Sequence, residues 1–468
     1  MADSASRRAL SIPEILLNIL NACTKDTLLA AVRVNRLWFD CGIGALWAVN
    51  DFLETAAQLA AIKGKERRQL YANCIKDLSV HEQNTHLYAG PLKDVEFPAL
   101  NFVHLEHSRP GQAWLFSRVF TPTVKVLKLF AVKLGDYGMP AIASRMGHLT
   151  HLIMGGSGCY AGGMAAFLGA CRSLQYLDVH GVYQIARQFP TECFIVLASL
   201  PSLEVLHYEG DLSADSITRA ATVVAEPFIA LKLVVFKVQP QKVPGLLHGI
   251  AQLPQLCSLQ LDLDCKMPDL RNLSQLQKLR SFALMFKSAP RMRKEDLAPV
   301  KALTALEYLT IDAENWFEGL INPGMPDLMK EMDLQELVLG LGKLHKLRLT
   351  PKADIGVTFL QHLAKYCPLL TSCAMLTLTL SLRELEGIEP IAPNKWFCQA
   401  LSVGLVENNF REEADIDSAV ALILEKLPTV RRFDFLPFDF TVPGLLDTDS
   451  LIYKFQQALN FAIRALPG

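Results

Sequence analysis

The sequence predicts an α/β protein in which an N-terminal three-helix unit precedes a right-handed solenoid with a concave parallel β-sheet and convex helices. Three observations carry this expectation. From about residue 72 one pattern, apolar-x-x-apolar-x-x-apolar-x-apolar, returns at a near-constant step. Stretches with helical apolar spacing alternate with its copies. The first fifty residues keep a different rhythm, with apolar residues three and four apart and tryptophans at 38 and 47. At 468 residues the chain is too long for one compact core, so several domains or a repeat array are expected.

The N-terminal unit comes first. Ile12, Ile15, Leu16, Ile19 and Leu20 form one apolar stripe, and Pro13 suits the first turn of a helix, where its missing N–H costs nothing. A second stripe runs through Leu28, Val32 and Val34 towards Trp38, and the unit finishes with Leu46-Trp47. Three helices of about ten residues each cannot build a full core, so part of this apolar surface awaits another owner. Ile12-Pro13-Glu14-Ile15-Leu16, the Val34–Trp38 segment and the terminal Leu46-Trp47 closely resemble the F-box in order and spacing. The chain departs from that family in carrying Ile12 for the usual leucine and Asn35 for the usual cysteine or serine. The resemblance implies docking onto the Skp adaptor of a Skp–cullin–F-box ubiquitin ligase. The residues it assigns to that contact are Ile12, Pro13, Ile15, Leu16, Ile19, Leu20, Leu28, Val32, Val34, Trp38, Leu46 and Trp47.

The repeats follow. Clear copies are Leu200-Leu203-Leu206-Tyr208, Leu253-Leu256-Leu259-Leu261, Leu276-Leu279-Phe282-Leu284 and Leu303-Leu306-Leu309-Ile311; others end at Val80, Leu105, Met154 and Val179, and looser ones at Leu129, Phe236, Met375, Leu405 and Phe435. The last apolar positions step by 25, 24, 25, 25, 29, 28, 25, 23 and 27 residues from Val80 to Ile311. That step falls within the leucine-rich-repeat period, and such units bury their apolar faces only against their neighbours. Within 331–350 two candidates overlap, ending at Leu339 and Leu349. Helical patterns at Ser213–Ala225, Asp354–Cys367 and Asp415–Leu427 lie between strands, with Ser213, Asp354 and Asp415 at N-cap positions. The array resembles the leucine-rich repeats that follow many F-boxes. The expected organisation is an F-box at 1–50, a helical linker at 51–71, the solenoid at 72–446 and an amphipathic capping helix at 447–468.

Composition narrows the function classes. Lys and Arg number 46 against 47 acidic residues, so the basic excess of a nucleic-acid binder is missing. No apolar run is long enough to span a membrane, and the N-terminus lacks a signal-peptide pattern. Eleven cysteines without any Cys-x-x-Cys read as reduced thiols of a cytoplasmic or nuclear protein. One segment imitates a dinucleotide site: Gly155, Gly156, Gly158, Gly162 and Gly163 after a strand, with Asp178 twenty residues beyond Gly158. Its glycine spacing is one residue too long, and the leucine pattern runs on through it, so a turn between repeats is the preferred reading.

Strand alternation places His104, Glu106, Lys128, Tyr176, Asp178, His180, His207 and Glu209 on the concave face. Histidines with carboxylates could bind zinc if three converged, but a polar recognition surface for a target protein is the preferred reading. The insertions Glu314–Glu331, with Trp316 and Phe317, and Glu384–Lys395 are further candidates for touching the target. The expectation is an adaptor rather than an enzyme. It holds the Skp adaptor, and through it a cullin–RING ligase, at one end and an unidentified target on the repeats. No cofactor, metal, nucleic acid or membrane is expected to take part.

Overall fold

The computed structural model describes residues 8–48, 55–106, 118–132, 142–156, 161–180, 191–209, 214–251, 253, 255–264, 266–288, 290, 292–315, 329–350, 353–380, 382–391, 398, 400–408, 413–430, 432–435, 457–459 and 461–463. The chain divides into two compact units. Unit 1 comprises Met1–Asp211 with Arg219–Leu231, and unit 2 comprises Leu212–Thr218 with Lys232–Gly468.

Unit 1 begins with three helices, α1 (Pro13–Asn21), α2 (Lys25–Ala31) and α3 (Arg36–Ala48). Pro13 occupies the first turn of α1. Asn35 caps α3, its Oδ1 accepting the Trp38 backbone N–H at 3.0 Å. A Cβ on Gly42 of α3 would stand 3.0 Å from Val32 Cγ1 and 3.3 Å from Leu20 Cδ1, so glycine there lets α3 close onto α1. Trp47 stacks on Tyr71, with ring centroids 5.5 Å apart, and so ties α3 to the following pair of helices, α4 (Thr55–Ala61) and α5 (Lys65–Ala72).

This packing divides the residues that the F-box resemblance assigned to an adaptor. Leu16, Leu20, Leu28, Leu46 and Trp47 are buried within the chain's own helices, Leu16 and Leu28 completely, and have no surface to offer a partner. Ile12, Pro13, Ile15, Ile19 and Val34 are exposed, and Val32 and Trp38 are half-buried. Leu17 and Leu29 join the exposed set. The cause is helix geometry: positions 12, 15 and 19 lie along one line of α1 and positions 16 and 20 along the next.

Six parallel strands follow, β1 (Asp77–Val80), β2 (Phe102–Glu106), β3 (Val126–Phe130), β4 (His151–Gly155), β5 (Tyr176–His180) and β6 (Val205–Glu209). They pair in chain order, and Val80, Leu105, Leu129, Met154, Val179 and Tyr208 stand in one register row. Unit 2 continues the plan with β7 (Leu233–Lys237), β8 (Ser258–Leu263), β9 (Ser281–Ser288), β10 (Tyr308–Asn315), β11 (Lys346–Leu349), β12 (Ser372–Leu380), β13 (Ala400–Asn408) and β14 (Arg432–Phe435). Its row runs Phe236, Leu261, Leu284, Ile311, Leu349, Met375, Val403 and Phe435. Along most described strands a fully buried residue alternates with a half-buried one. The buried side packs on helices, as where Phe194 of the helix Thr191–Ala198 meets Tyr208 edge-on at 5.6 Å. The other side is the open face.

The structure decides one open choice and differs from the sequence reading in three details. Leu349 closes the repeat within 331–350, whereas Leu339 caps the helix Glu331–Val338 and is exposed. Val403, not Leu405, pairs with Met375; Leu405 lies two residues on, opposite Thr377 in the nine-residue strand β13. Asp354 does not cap a helix but pairs with Lys330 in a short parallel bridge, and the helix Val357–Tyr366 starts from Gly356. There the Glu331 carboxylate takes over, accepting the Gly356 N–H at 2.8 Å and the Thr358 hydroxyl. Asp415 likewise lies inside its helix, Glu413–Lys426. Of the expected C-terminal helix, residues 457–459 and 461–463 are described as helical, with Leu459 and Ile463 buried.

Candidate functional site

The open face of unit 1 is arranged in rows across its strands. One row reads Asp77, Phe102, Val126, His151, Tyr176 and Val205; the next Ser79, His104, Lys128, Ile153, Asp178 and His207. A third carries Glu106, Phe130, Gly155 and His180. All eight residues that the alternation placed on this face are there, each half-buried.

Their side chains form two linked clusters. In the first, His180 Nδ1 lies 2.9 Å from Asp178 Oδ1, and the Tyr176 hydroxyl lies 3.4 Å from Asp178 Oδ2 and 3.2 Å from His207 Nδ1. His151 stacks on Tyr176 at 5.6 Å. Burial by itself would raise the Asp178 pKa, but hydrogen bonds from His207 and His180 outweigh it and hold the carboxyl below its ordinary value. Burial and the Asp178 charge push the Tyr176 hydroxyl up, so it stays protonated at neutral pH. The second cluster holds His81, whose Nδ1 lies 2.8 Å from Glu106 Oε2, and His104, edge-on to the rings of His81 and Phe130 at 5.8 and 5.3 Å. Lys128 lies over the Phe102 ring at 5.5 Å.

Gly155 joins the clusters. Strands β3 and β5 are about 9.6 Å apart, twice the strand spacing, yet Phe130 and His180 bring their rings to 5.5 Å above it. A Cβ on Gly155 would sit 2.6 Å from Phe130 Cδ1 and 2.9 Å from His180 Nε2. Gly155 and Asp178 of the dinucleotide-like motif are thus parts of one ring-and-carboxylate floor, and β4, β5 and β6 keep an unbroken repeat register through it. Among the described residues no three His, Cys, Asp or Glu side chains converge to hold a metal ion. The buried Nε2 atoms of His81 and His104 have no hydrogen-bond partner among the described residues.

His81 and Phe130 were not singled out from sequence. Each directly follows the last apolar position of its strand, Val80 and Leu129, as Glu106 follows Leu105, so the same alternation marks them. Strands β7 to β9 carry half-buried Leu233, Val235, Ala283 and Met285 on their open face. Trp316, Phe317 and residues 392–395 of the second insertion lie outside the described residues.

His104 supplies a pH prediction. Burial lowers its pKa, Glu106 opposes the shift, and His81 and Lys128 add to it. The folded value therefore lies below the unfolded one of about 6.5. The neutral ring's contribution to stability is complete above that pH and is lost as pH falls through the folded value. Melting temperature is expected to drop on acidification from about pH 7.5 to 5, and less steeply in His104→Asn. Parallel melting curves for the two proteins would contradict this.

Comparison with known proteins adds little. No family model matches the chain, and no curated protein matches it. Among solved structures, a leucine-rich-repeat (LRR) protein of Leptospira interrogans is similar, at 14% identity over 82% of this chain and 87% of that one, with a TM-score of 0.42. The class is defined by the strand ladder itself: parallel strand-and-helix repeats in each unit, in unit 1 preceded by five described helices and carrying a polar, ring-rich open face. No described helix is long and apolar enough to cross a membrane.

Proposed function

We propose that this protein is the substrate-recognition subunit of a Skp–cullin–F-box type E3 ubiquitin ligase, binding a Skp-family adaptor through its N-terminal helices and a target protein through its repeats. One observation carries the reading. Residues 12–34 expose Ile12, Pro13, Ile15, Leu17, Ile19, Leu29 and Val34, while Leu16, Leu20 and Leu28 of the same segment are packed inside. Exposed aliphatic side chains on the Ile12, Ile15 and Ile19 line are the kind of surface a protein interface uses, and they fall on the segment that resembles the F-box. Within each unit the repeats supply a face that their own core does not need.

The test is recovery of partners by the tagged full-length chain. Skp adaptor and cullin are expected to co-purify in stoichiometric amounts; their absence would leave a repeat scaffold without a ligase role. In the same purification, Tyr176→Ala with His207→Ala is expected to reduce target recovery by about tenfold, the worth of one or two interface anchors, at unchanged adaptor recovery. Full target recovery by this variant would move recognition off the open face of unit 1.

A further inference from the structure

On the open face of unit 2, β11 breaks the usual pattern. Its two open-face residues, Lys346 and Arg348, are both exposed, as is Tyr308 beside Lys346 on β10, whereas the other register neighbours, Thr310 on β10 and Ser372 and Ala374 on β12, are half-buried. Arg348 is held by an ion pair. Arg348 Nε donates to Asp312 Oδ2 at 2.6 Å. Asp312 Oδ1 in turn accepts the Thr350 hydroxyl at 2.8 Å and the Ala313 N–H at 2.9 Å, and Thr350 is fully buried. A braced carboxylate thus grips one edge of the guanidinium, whose planar fork carries further N–H donors. Lys346 Nζ lies 5.8 Å from the Tyr308 ring centroid, and that ring stacks on His345 at 6.4 Å. On the other side, the register partners on β12 are Ser372 and Ala374, both short, so no bulky side chain from that strand covers the cations.

We infer that Lys346 and Arg348 form a carboxylate-binding subsite that takes an acidic side chain of an extended partner peptide. Restraint separates Arg348 from an ordinary solvated cation, because a side chain already held in place loses less freedom when a ligand arrives, and Lys346 adds a second positive charge beside it. Charge sets the ligand class. Lys346 and Arg348 against Asp312 leave one net positive charge, and nearby Glu307 is paired with Arg280 at 3.4 Å. A single carboxylate neutralises that charge, whereas a phosphate dianion would leave an excess facing Asp312. The inference is independent of adaptor docking and of the open face of unit 1.

Fluorescence anisotropy with the full-length protein tests it, using three short dye-labelled Gly/Ser peptides whose centres are one glutamate, one glutamine or one phosphoserine. The Glu peptide is expected to bind, more weakly as salt rises, and the Gln peptide not to bind. Lys346→Gln with Arg348→Gln should weaken the Glu peptide by about tenfold or more. Lys365→Gln with Arg383→Gln, which removes the same charge from helices, should change it by less than about twofold. Arg348→Lys, which keeps charge but loses the Asp312 grip, should weaken binding and retain the fold even if the double variant does not. An unbound Glu peptide, equal binding of the Gln peptide, unchanged binding by Arg348→Lys or an equal loss in the helix variant would overturn the subsite. Preference for the phosphoserine peptide would overturn the carboxylate assignment.

Discussion

Replacing Ile15 and Ile19 together by aspartate is expected to weaken Skp-adaptor binding at least about a hundredfold, with little change in melting temperature. Buried aliphatic anchors at an interface centre are worth about 2 kcal/mol each, and 1.4 kcal/mol is tenfold in affinity. Both residues are exposed in the free chain, so carboxylates there stay solvated and the helices keep their core. Leu16→Asp gives the contrast, because Leu16 is fully buried and an unpaired carboxylate at its position would unfold the helical unit. Titration calorimetry with purified adaptor distinguishes the two. Equal affinity for wild type and the Ile15/Ile19 double variant would remove the docking assignment.

The second large effect is in the repeat core. Phe282 of β9 is fully buried and stands in register between Leu259 and Leu309. Phe282→Ala is expected to cost about 3–5 kcal/mol through lost transfer energy and the cavity left behind. That is a large share of a total stability of about 5–15 kcal/mol. Repeats are held by their neighbours, so the loss should spread to β8 and β10 rather than stay local. Urea unfolding monitored by circular dichroism reads it, with Ala283→Ser on the open face as a near-neutral control. A shift in Phe282→Ala below about 1 kcal/mol would mean that this stack is not the core.

Register was legible where each copy has one possible ending. From Val80 to Ile311 the apolar spacing admits one alignment, and the strands adopt it. Around 331–350 it failed to decide because Leu334, Leu337, Leu341 and Leu344 fit both a helix and the start of a repeat; pairing with β10 selects Leu349. The division of the N-terminal helices was hidden for another reason. Hydrophobicity marks Ile15 and Leu16 alike, and only the packing of the helices against one another decides which of them is covered. Gly155 carried a misleading signal. Its glycine is required by two rings that meet from β3 and β5, a contact between residues 50 apart in sequence that no local spacing reveals. Likewise, the restraint of Arg348 by Asp312 and Thr350 joins positions on two strands separated by a long connection, so the sequence shows only isolated charges.

The most direct test of the central claim is hydrogen exchange on the full-length chain with and without a purified Skp-family adaptor. The account predicts protection confined to residues 12–38, strongest around Ile15, Ile19 and Val34, with the repeat strands unchanged. No complex, or protection that falls on the repeats while residues 12–38 exchange freely, would contradict it.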